Sequence, residues 1–285
     1  MGSATIATIC GYLWNAEADV HLEAWGLTTS ARQWLSGLPR DEVLDVPTVE
    51  GWLDRTGRGP GAQTRTRLLE ALAIAAYHAQ TDWPIVACLV CDDAAQFRLV
   101  TDELALCWVH EGRHYTKLTA YLPPHRAQLD AFRQDFWTYY HDLLRYRKQP
   151  TPAERTRLQT RFETLFAPNT GFRLLDERIA LPRGNQGDLL RVLAHPELPL
   201  HNNPAELAAR RRVRKRDASF GPRSAAGRAA WDTFHTLAAT AQQLGVSFYA
   251  FLKDRLTQAG LVAPLDHLLT ARAQQVPLGR SWSLS

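Results

Sequence analysis

The stretch PIVACLVC, residues 84–91, constrains this chain more than any other. It is a continuous apolar and β-branched run opened by Pro84. Such a run reads as a strand buried on both faces, which the fold has to cover from two sides. LALCWVH, residues 104–110, is the second strand, and the two are expected to be neighbours in a small sheet. The intervening DDAAQFRLVTDE has room for one short helix.

The rest of the sequence is patterned for helices. NAEADVHLEAW starts at a capping Asn15 and stops at Gly26. TSARQWLSGL and PTVEGWLDR carry apolar residues three or four apart. TRTRLLEALAIAAYHAQ places Leu68, Leu69, Leu72 and Ala76 on one face. From Pro123 to about Leu193 the pattern is helical throughout. Leu129, Phe132, Phe136, Tyr139 and Leu143 form one stripe, and Thr151, Pro152 and Glu154 open the next helix with a capping box. Trp231, Phe234, Leu237, Ala241 and Leu244 mark a later helix closed by Gly245, and Ser247 caps FYAFLKDRL. One more short helix is expected after Gly260, and PLGRSWSLS is expected to fray.

Composition narrows the class. With 45% hydrophobic and 22% charged residues over 285 positions, the chain can bury a core without staples. Four cysteines are too few for a disulfide scaffold, which points to a reducing cytoplasm. No apolar run approaches the ~20 residues of a membrane span, so no membrane partner is expected. MGSATIATICGYLW has no basic flank before its apolar stretch and does not read as a signal peptide. Net charge is only +4, but eight Lys/Arg lie between His201 and Arg228 against two acids, Glu206 and Asp217. Charge gathered in this way suits a polyanion.

Each candidate site has two readings. In NNPAE, Asn203 is the expected N-cap, with Pro204 at the first helical position and Glu206 at the third, a capping box. Glu206 is also a lone acid facing Arg210, with His201, Asn202 and Asn203 crowded beside it. Asp92 and Asp93 follow the first strand directly. Carboxylates there are placed for an active site at the carboxyl end of a strand, or Asp93 caps the next helix. His110, Arg113 and His114 end the second strand, either as site residues or as a polar strand end. Tyr139, Tyr140, Arg145, Tyr146 and Arg147 make either a nucleic-acid face or core plus a solvated side. Cys88-x2-Cys91 and Cys107-x2-His110 have zinc-ribbon spacing. Residues three apart on a strand point to opposite faces, so zinc is not expected and the cysteines read as small buried hydrophobes.

These pieces together resemble the insertion-sequence-66 family of bacterial transposases, a branch of the DDE, RNase H-like transposases. CWVHEGRHYTKL is similar to that family's Cys-Trp-x-His-x-Arg-Arg stretch. LPLHNNPAELAARRRVRKRDASFGPRSAAGRAAWDTFHTLAATAQQLGVSFYAFLKDRL is similar to its C-terminal signature, and CDDAAQF fits its second-acid stretch. The resemblance runs from about Trp83 to Leu256, and more weakly back to His21.

The resemblance implies an α+β, predominantly helical fold. A truncated RNase H-like core with two strands would carry a large helical insertion. It divides the chain into a helical segment 1–83, a sheet segment 84–122 with Asp92, an insertion 123–200, catalytic and basic helices 201–258 with Glu206, and a tail 259–285. It implies metal-dependent cleavage and transfer of DNA strands. Asp92 and Glu206 would be catalytic ligands of Mg2+ or Mn2+, and Asp93, His110, His201, Asn202 and Asn203 would support them. Arg210, Arg211, Arg212, Arg214, Lys215, Arg216, Arg223 and Arg228 would hold the phosphates of double-stranded DNA in the nucleoid. The family's first Asp has no counterpart: MGSATIATICGYL holds none, and Asp19, Asp41 and Asp45 lie in helix-like or loop-like sequence. Two functions remain open. One is a transposase that takes its missing acid from a second polypeptide or another copy. The other is a non-catalytic DNA-binding remnant.

Overall fold

The apolar stripes gather into three cores in a computed structural model of the chain, which describes residues 10–55, 59–81, 85–86, 88–94, 97–101, 103–167, 169–275 and 282–283. Two compact units hold them: residues 1–201 with 281–285, and residues 202–280. The architecture is predominantly helical with a few short strands, as expected. Among the described residues, no helix is long and apolar enough to cross a membrane.

The first core of unit 1 is built from β1 (Tyr12–Leu13), α1 (Ala16–Ala24), α2 (Thr28–Leu35), β2 (Val43–Leu44), α3 (Val46–Arg55) and α4 (Ala62–Ala79). Asn15 caps α1 as expected, its side chain accepting from the Ala18 N–H at 2.9 Å. In α4 every residue from Ala71 to Tyr77 is buried, where the sequence suggested a single buried face. Ala71, Ala73, Ala75 and Ala76 are small enough to let neighbours close in from all sides. β1 pairs antiparallel with β2. Strands of two residues carry no alternation that a sequence could betray.

In the second core, β4 (Cys88–Cys91) and β5 (Glu103–Leu106) run parallel, with Cys88 opposite Glu103 and Cys91 opposite Leu106. They are neighbours, as expected, but other expectations need correction. The run 84–91 is not one strand: β3 (Ile85–Val86) pairs antiparallel with β6 (Trp282–Ser283), in the tail that was expected to fray. Pro84, residue 87 and most of that tail lie outside the described residues. Of β4 only Cys91 is buried, because a two-stranded ribbon is too narrow to be covered on both faces throughout. The short helix expected after Asp93 is seen among the described residues as a 3-10 turn at Phe97, whose N–H reaches the Ala94 carbonyl at 3.0 Å.

The last correction matters most. β5 stops at Leu106, and Trp108 opens a helix, α5 (Trp108–Lys117). The Cys107 N–H still reaches the Cys91 carbonyl (2.8 Å), while the Trp108 N–H turns to that of Leu200 (2.9 Å). Trp108, Gly112 and Tyr115 are the buried residues of α5, a spacing of four and three that belongs to a helix. Arg133 closes the carboxyl end of α5 by donating to the carbonyls of Tyr115, Thr116 and Leu118, at 2.8, 3.3 and 3.2 Å from Nη2.

Among the described residues of unit 1, further helices are α6 (Pro123–Lys148), α7 (Pro152–Leu165), α8 (Arg173–Gly184) and the single turns α9 (Gln186–Leu189) and α10 (Arg191–Ala194). No described residue between 123 and 197 is in a strand, as expected. Thr151 caps α7 by accepting from the Glu154 N–H at 3.2 Å. Tyr139, Tyr140 and Tyr146 are buried, so the aromatic stripe of α6 is core rather than a nucleic-acid face. Arg145 is spent on the buried Asp142, which also binds Arg157 and Arg161 of α7. Arg147 donates to the carbonyls of Pro196 and Glu197 at 3.1 and 3.3 Å.

Gly112 lets α5 approach α6 closely: a Cβ there would lie 2.8 Å from Trp137 Cζ2 and 2.9 Å from Phe136 Cε1. Overpacking of this kind costs ~1–3 kcal/mol, against at most ~1 kcal/mol of helix propensity gained. Gly112→Ala is therefore expected to lower the urea midpoint. Gly51→Ala in α3, where a Cβ meets nothing within 4 Å, is expected to raise it. Equal effects of the same sign would refute the close approach.

Unit 2 contains α11 (Asn203–Ser219), α12 (Ala225–Gln243), α13 (Phe248–Thr257) and α14 (Leu265–Gln275). Ser224 and Ser247 cap α12 and α13 through the N–H groups of Gly227 (3.0 Å) and Ala250 (3.3 Å). Its small core centres on Ala241, Phe251 and Leu265, one from each of the last three helices. No described residue of α11 belongs to it.

Candidate nucleic-acid interface and acidic residues

Asp92 leaves the carboxyl end of β4 half-buried, in the position that the strand reading assigned to it. Asp93 is exposed and already engaged: Arg98 binds one carboxylate oxygen, and Asn185 Nδ2 donates to the other at 3.1 Å. It ties the β4 turn to the start of α9 rather than capping a helix. Burial pushes the Cys91 thiol up to about 12, with the charges of Asp92 and Asp93 adding to it. Burial likewise pushes Cys88 up to about 11, with Glu103 adding to it. Both are protonated thiols at neutral pH.

His110, Arg113 and His114 stand on α5, not at a strand end. Arg113 Nη1 donates to His110 Nε2 at 2.9 Å. Burial, then the positive charge of Arg178, lowers the pKa of His114. Cys107 is the N-cap residue of the same helix. The second pair of the apparent zinc spacing is thus split between a strand end and a helix.

The start of α11 differs by one residue from the expected capping box. Asn202, not Asn203, is the N-cap residue, and its side chain makes no capping bond. The Asn202 carbonyl instead accepts from the N–H groups of Ala205 (3.0 Å) and Glu206 (3.2 Å). Asn203 and Pro204 both have helical backbone, so the half-buried Glu206 falls one position past the place of a capping-box acid. His201 is the last residue of unit 1 before the boundary.

From Ala209 to Phe220 every residue is exposed, right round the circumference of α11. Even Leu207 and Val213 are open to solvent. Arg210, Arg211, Arg212, Arg214, Lys215 and Arg216 therefore project in several directions. Arg211 donates to Gln242 Oε1 of α12 at 3.1 Å, Arg212 pairs with Asp232, and Arg216 lies 3.8 Å from Asp217. The helix ends at Phe220, left-handed with φ 58°, followed by Gly221 with φ 67°. Arg223 and Arg228 are exposed beyond the turn.

One group of potential ligands, Glu17, His21 and His78, has no counterpart among the expectations. Glu17 and His21 lie on successive turns of α1, with His21 Nε2 3.2 Å from Glu17 Oε1. His78, at the end of α4, brings Nδ1 onto the same oxygen, and its Nε2 donates to the Val100 carbonyl at 3.1 Å. Burial lowers the pKa of His21, Glu17 opposing the shift. The four-residue spacing of Glu17 and His21 is visible in the sequence, but nothing there links it to a histidine 57 positions further on.

Over 186 residues, 65% of its length, the chain is 38% identical to a protein of Sinorhizobium fredii (strain NBRC 101917 / NGR234) described as the uncharacterized protein y4jO. The match spans 57% of that relative's length. No family model matches the chain, and no solved structure does.

Proposed function

We propose that this chain binds double-stranded DNA through α11, in the manner of an insertion-sequence-66 transposase. The observation that carries the reading is the all-round exposure of a helix with six cations in seven positions, from Arg210 to Arg216. A helix whose only role was to pack would bury one stripe, and no described residue of α11 enters the core of its unit. Duplex DNA offers a dense row of phosphates to such a surface, and released counterions drive the association.

The eight basic residues point several ways, so about half can reach phosphate together. Four contacts give a slope of log K against log salt of roughly −3.6, at ~−0.9 per contact. Base specificity is low, because phosphate contacts position a protein without reading sequence. In a fluorescence-anisotropy titration of duplex DNA between 50 and 200 mM salt, Arg211→Ala/Arg214→Ala/Lys215→Ala is expected to flatten this slope with its circular dichroism unchanged. No binding by the wild type at low salt, or the same slope in the variant, would mean that the basic run is only a solvated face.

Strand cleavage is the further part of the resemblance. The parallel pair β4–β5, with Asp92 at its carboxyl end, supports a partial RNase H-like sheet. The donor set does not fit a two-magnesium centre within either unit. Among the described residues of its own unit, neither Asp92 nor Glu206 joins a group of three convergent ligands, and Asp93 is bound to Arg98 and Asn185. This favours the second reading, DNA binding without catalysis by this chain alone. Manganese-dependent nicking of supercoiled plasmid separates the two. Nicking that is lost in Asp92→Asn and Glu206→Gln would restore the catalytic reading.

A further inference from the structure

We propose that Glu17, His21 and His78 form a binding site for one divalent transition-metal ion, with zinc the best match. Among the described residues, this is the group of potential ligands whose atoms all lie within 4.8 Å of one another. Ligand bonds of ~2.0–2.2 Å to one tetrahedral ion put the ligand atoms roughly 3.4 Å apart. The 3.2 Å between His21 Nε2 and Glu17 Oε1 already meets that spacing.

The hydrogen bonding of His78 gives the second argument. The Val100 carbonyl only accepts, so the proton of a neutral His78 ring sits on Nε2. Nδ1 then presents a lone pair to a carboxylate oxygen that also presents lone pairs, and the two are in close contact. A proton shared between them relieves this, and so does a metal ion that holds the two atoms at ligand spacing. An imidazole whose far nitrogen is held by a carbonyl is the usual arrangement of a metal-binding histidine, because the outer bond fixes both tautomer and ring direction.

Donor chemistry chooses the metal. Two imidazoles and one carboxylate suit zinc, whereas magnesium and calcium prefer oxygen donors throughout. The Glu17 side chain is 35% exposed, which leaves a solvent-facing side for a fourth ligand. The ion would cross-link α1 to the end of α4, at the edge of the first core. The site is separate from Cys88, Cys91, Cys107 and His110, and independent of DNA binding by α11.

The test uses the full chain, freed of metal by a chelator and dialysed against zinc chloride with a weak competing chelator. The wild type is expected to retain one zinc per chain. His78→Asn and His21→Asn are each expected to weaken zinc binding by roughly 100-fold or more, beyond the ~10–100-fold usual for an outer partner. His267→Asn, on an exposed histidine elsewhere, should match the wild type. Retention of zinc by His78→Asn at wild-type strength would place the ion elsewhere and overturn the proposal. Failure of the wild type to hold an equivalent would overturn it too, leaving a proton between His78 and Glu17. Should the variants misfold by circular dichroism, cobalt(II) in the wild type decides. Four-coordinate d–d bands without thiolate charge transfer support the site, and charge-transfer bands or an octahedral spectrum refute it.

Discussion

Replacing Trp108 with alanine is expected to cost about 3–5 kcal/mol, as truncations of buried aromatics do. Trp108 is fully buried at the join between sheet and helices. Its ring lies 5.7 Å from Phe136, 5.3 Å from Tyr139, 6.2 Å from Phe162 and 6.3 Å from Phe166, so α5, α6 and α7 all meet on it. Its Nε1–H donates to the Leu189 carbonyl at 2.9 Å, which brings in α9. Alanine removes the ring, opens a cavity and leaves a buried carbonyl unpaired. Trp108→Phe separates these effects: it keeps much of the packing and loses the bond, for a smaller cost of ~1–3 kcal/mol. Urea unfolding followed by far-ultraviolet circular dichroism reads both. The cores formed by the described residues fall in two compact units, so the variant should show an early transition for unit 1 rather than a uniform shift. A loss below 1 kcal/mol in Trp108→Ala would show that the aromatic cluster does not organise the unit.

Trp108 also shows where sequence reading stops. LALCWVH is apolar without a break, and a short apolar run cannot by itself distinguish a strand from a buried helix end. What ends the strand is the bond from the Trp108 N–H to the Leu200 carbonyl, a partner 92 residues away. The helices around it were legible because their signals are local. Asn15, Thr151 and Ser247 each accept from the N–H three residues on, as their capping patterns imply. Asn203 failed as a cap by one position because two adjacent asparagines offer equivalent caps, and local pattern does not choose between them. The basic run of α11 was plain in the composition, while its exposure on all sides was not. A cluster such as Glu17, His21 and His78 depends on how α1 meets α4, and periodicity within either helix is silent on that.

The same dependence on distant partners underlies the second large effect. Arg178 of α8 binds Glu111 of α5 where both side chains are largely withdrawn from water, at 15% and 13% exposure. Tyr115 completes the group. Its hydroxyl donates to Glu111 Oε1 at 2.5 Å, and the guanidinium of Arg178 lies over its ring, 5.4 Å from the centroid. Burial, reinforced by the Glu111 charge, raises the pKa of Tyr115 well above its ordinary value, so it remains a donor at any working pH. Arg178→Met keeps the length and apolar stem of the side chain but strips Glu111 of its counter-charge. Breaking a buried pair from one side costs ~3–5 kcal/mol, because the remaining charge is left desolvated. The residual exposure of this pair puts the expected value near the lower end of that range. The pair itself need not be worth so much. Among the described residues, Arg178 Nε is buried without a hydrogen-bond partner, a cost that the folded state carries already. Glu111→Gln together with Arg178→Met removes both charges while leaving an acceptor for Tyr115, and this double variant is expected to recover at least half of the loss. Chemical denaturation of the wild type, both single variants and the double variant closes the cycle. If the double variant is as unstable as the sum of the single ones, the penalty does not come from an orphaned charge, and α8 is held to α5 by packing on Tyr115 instead.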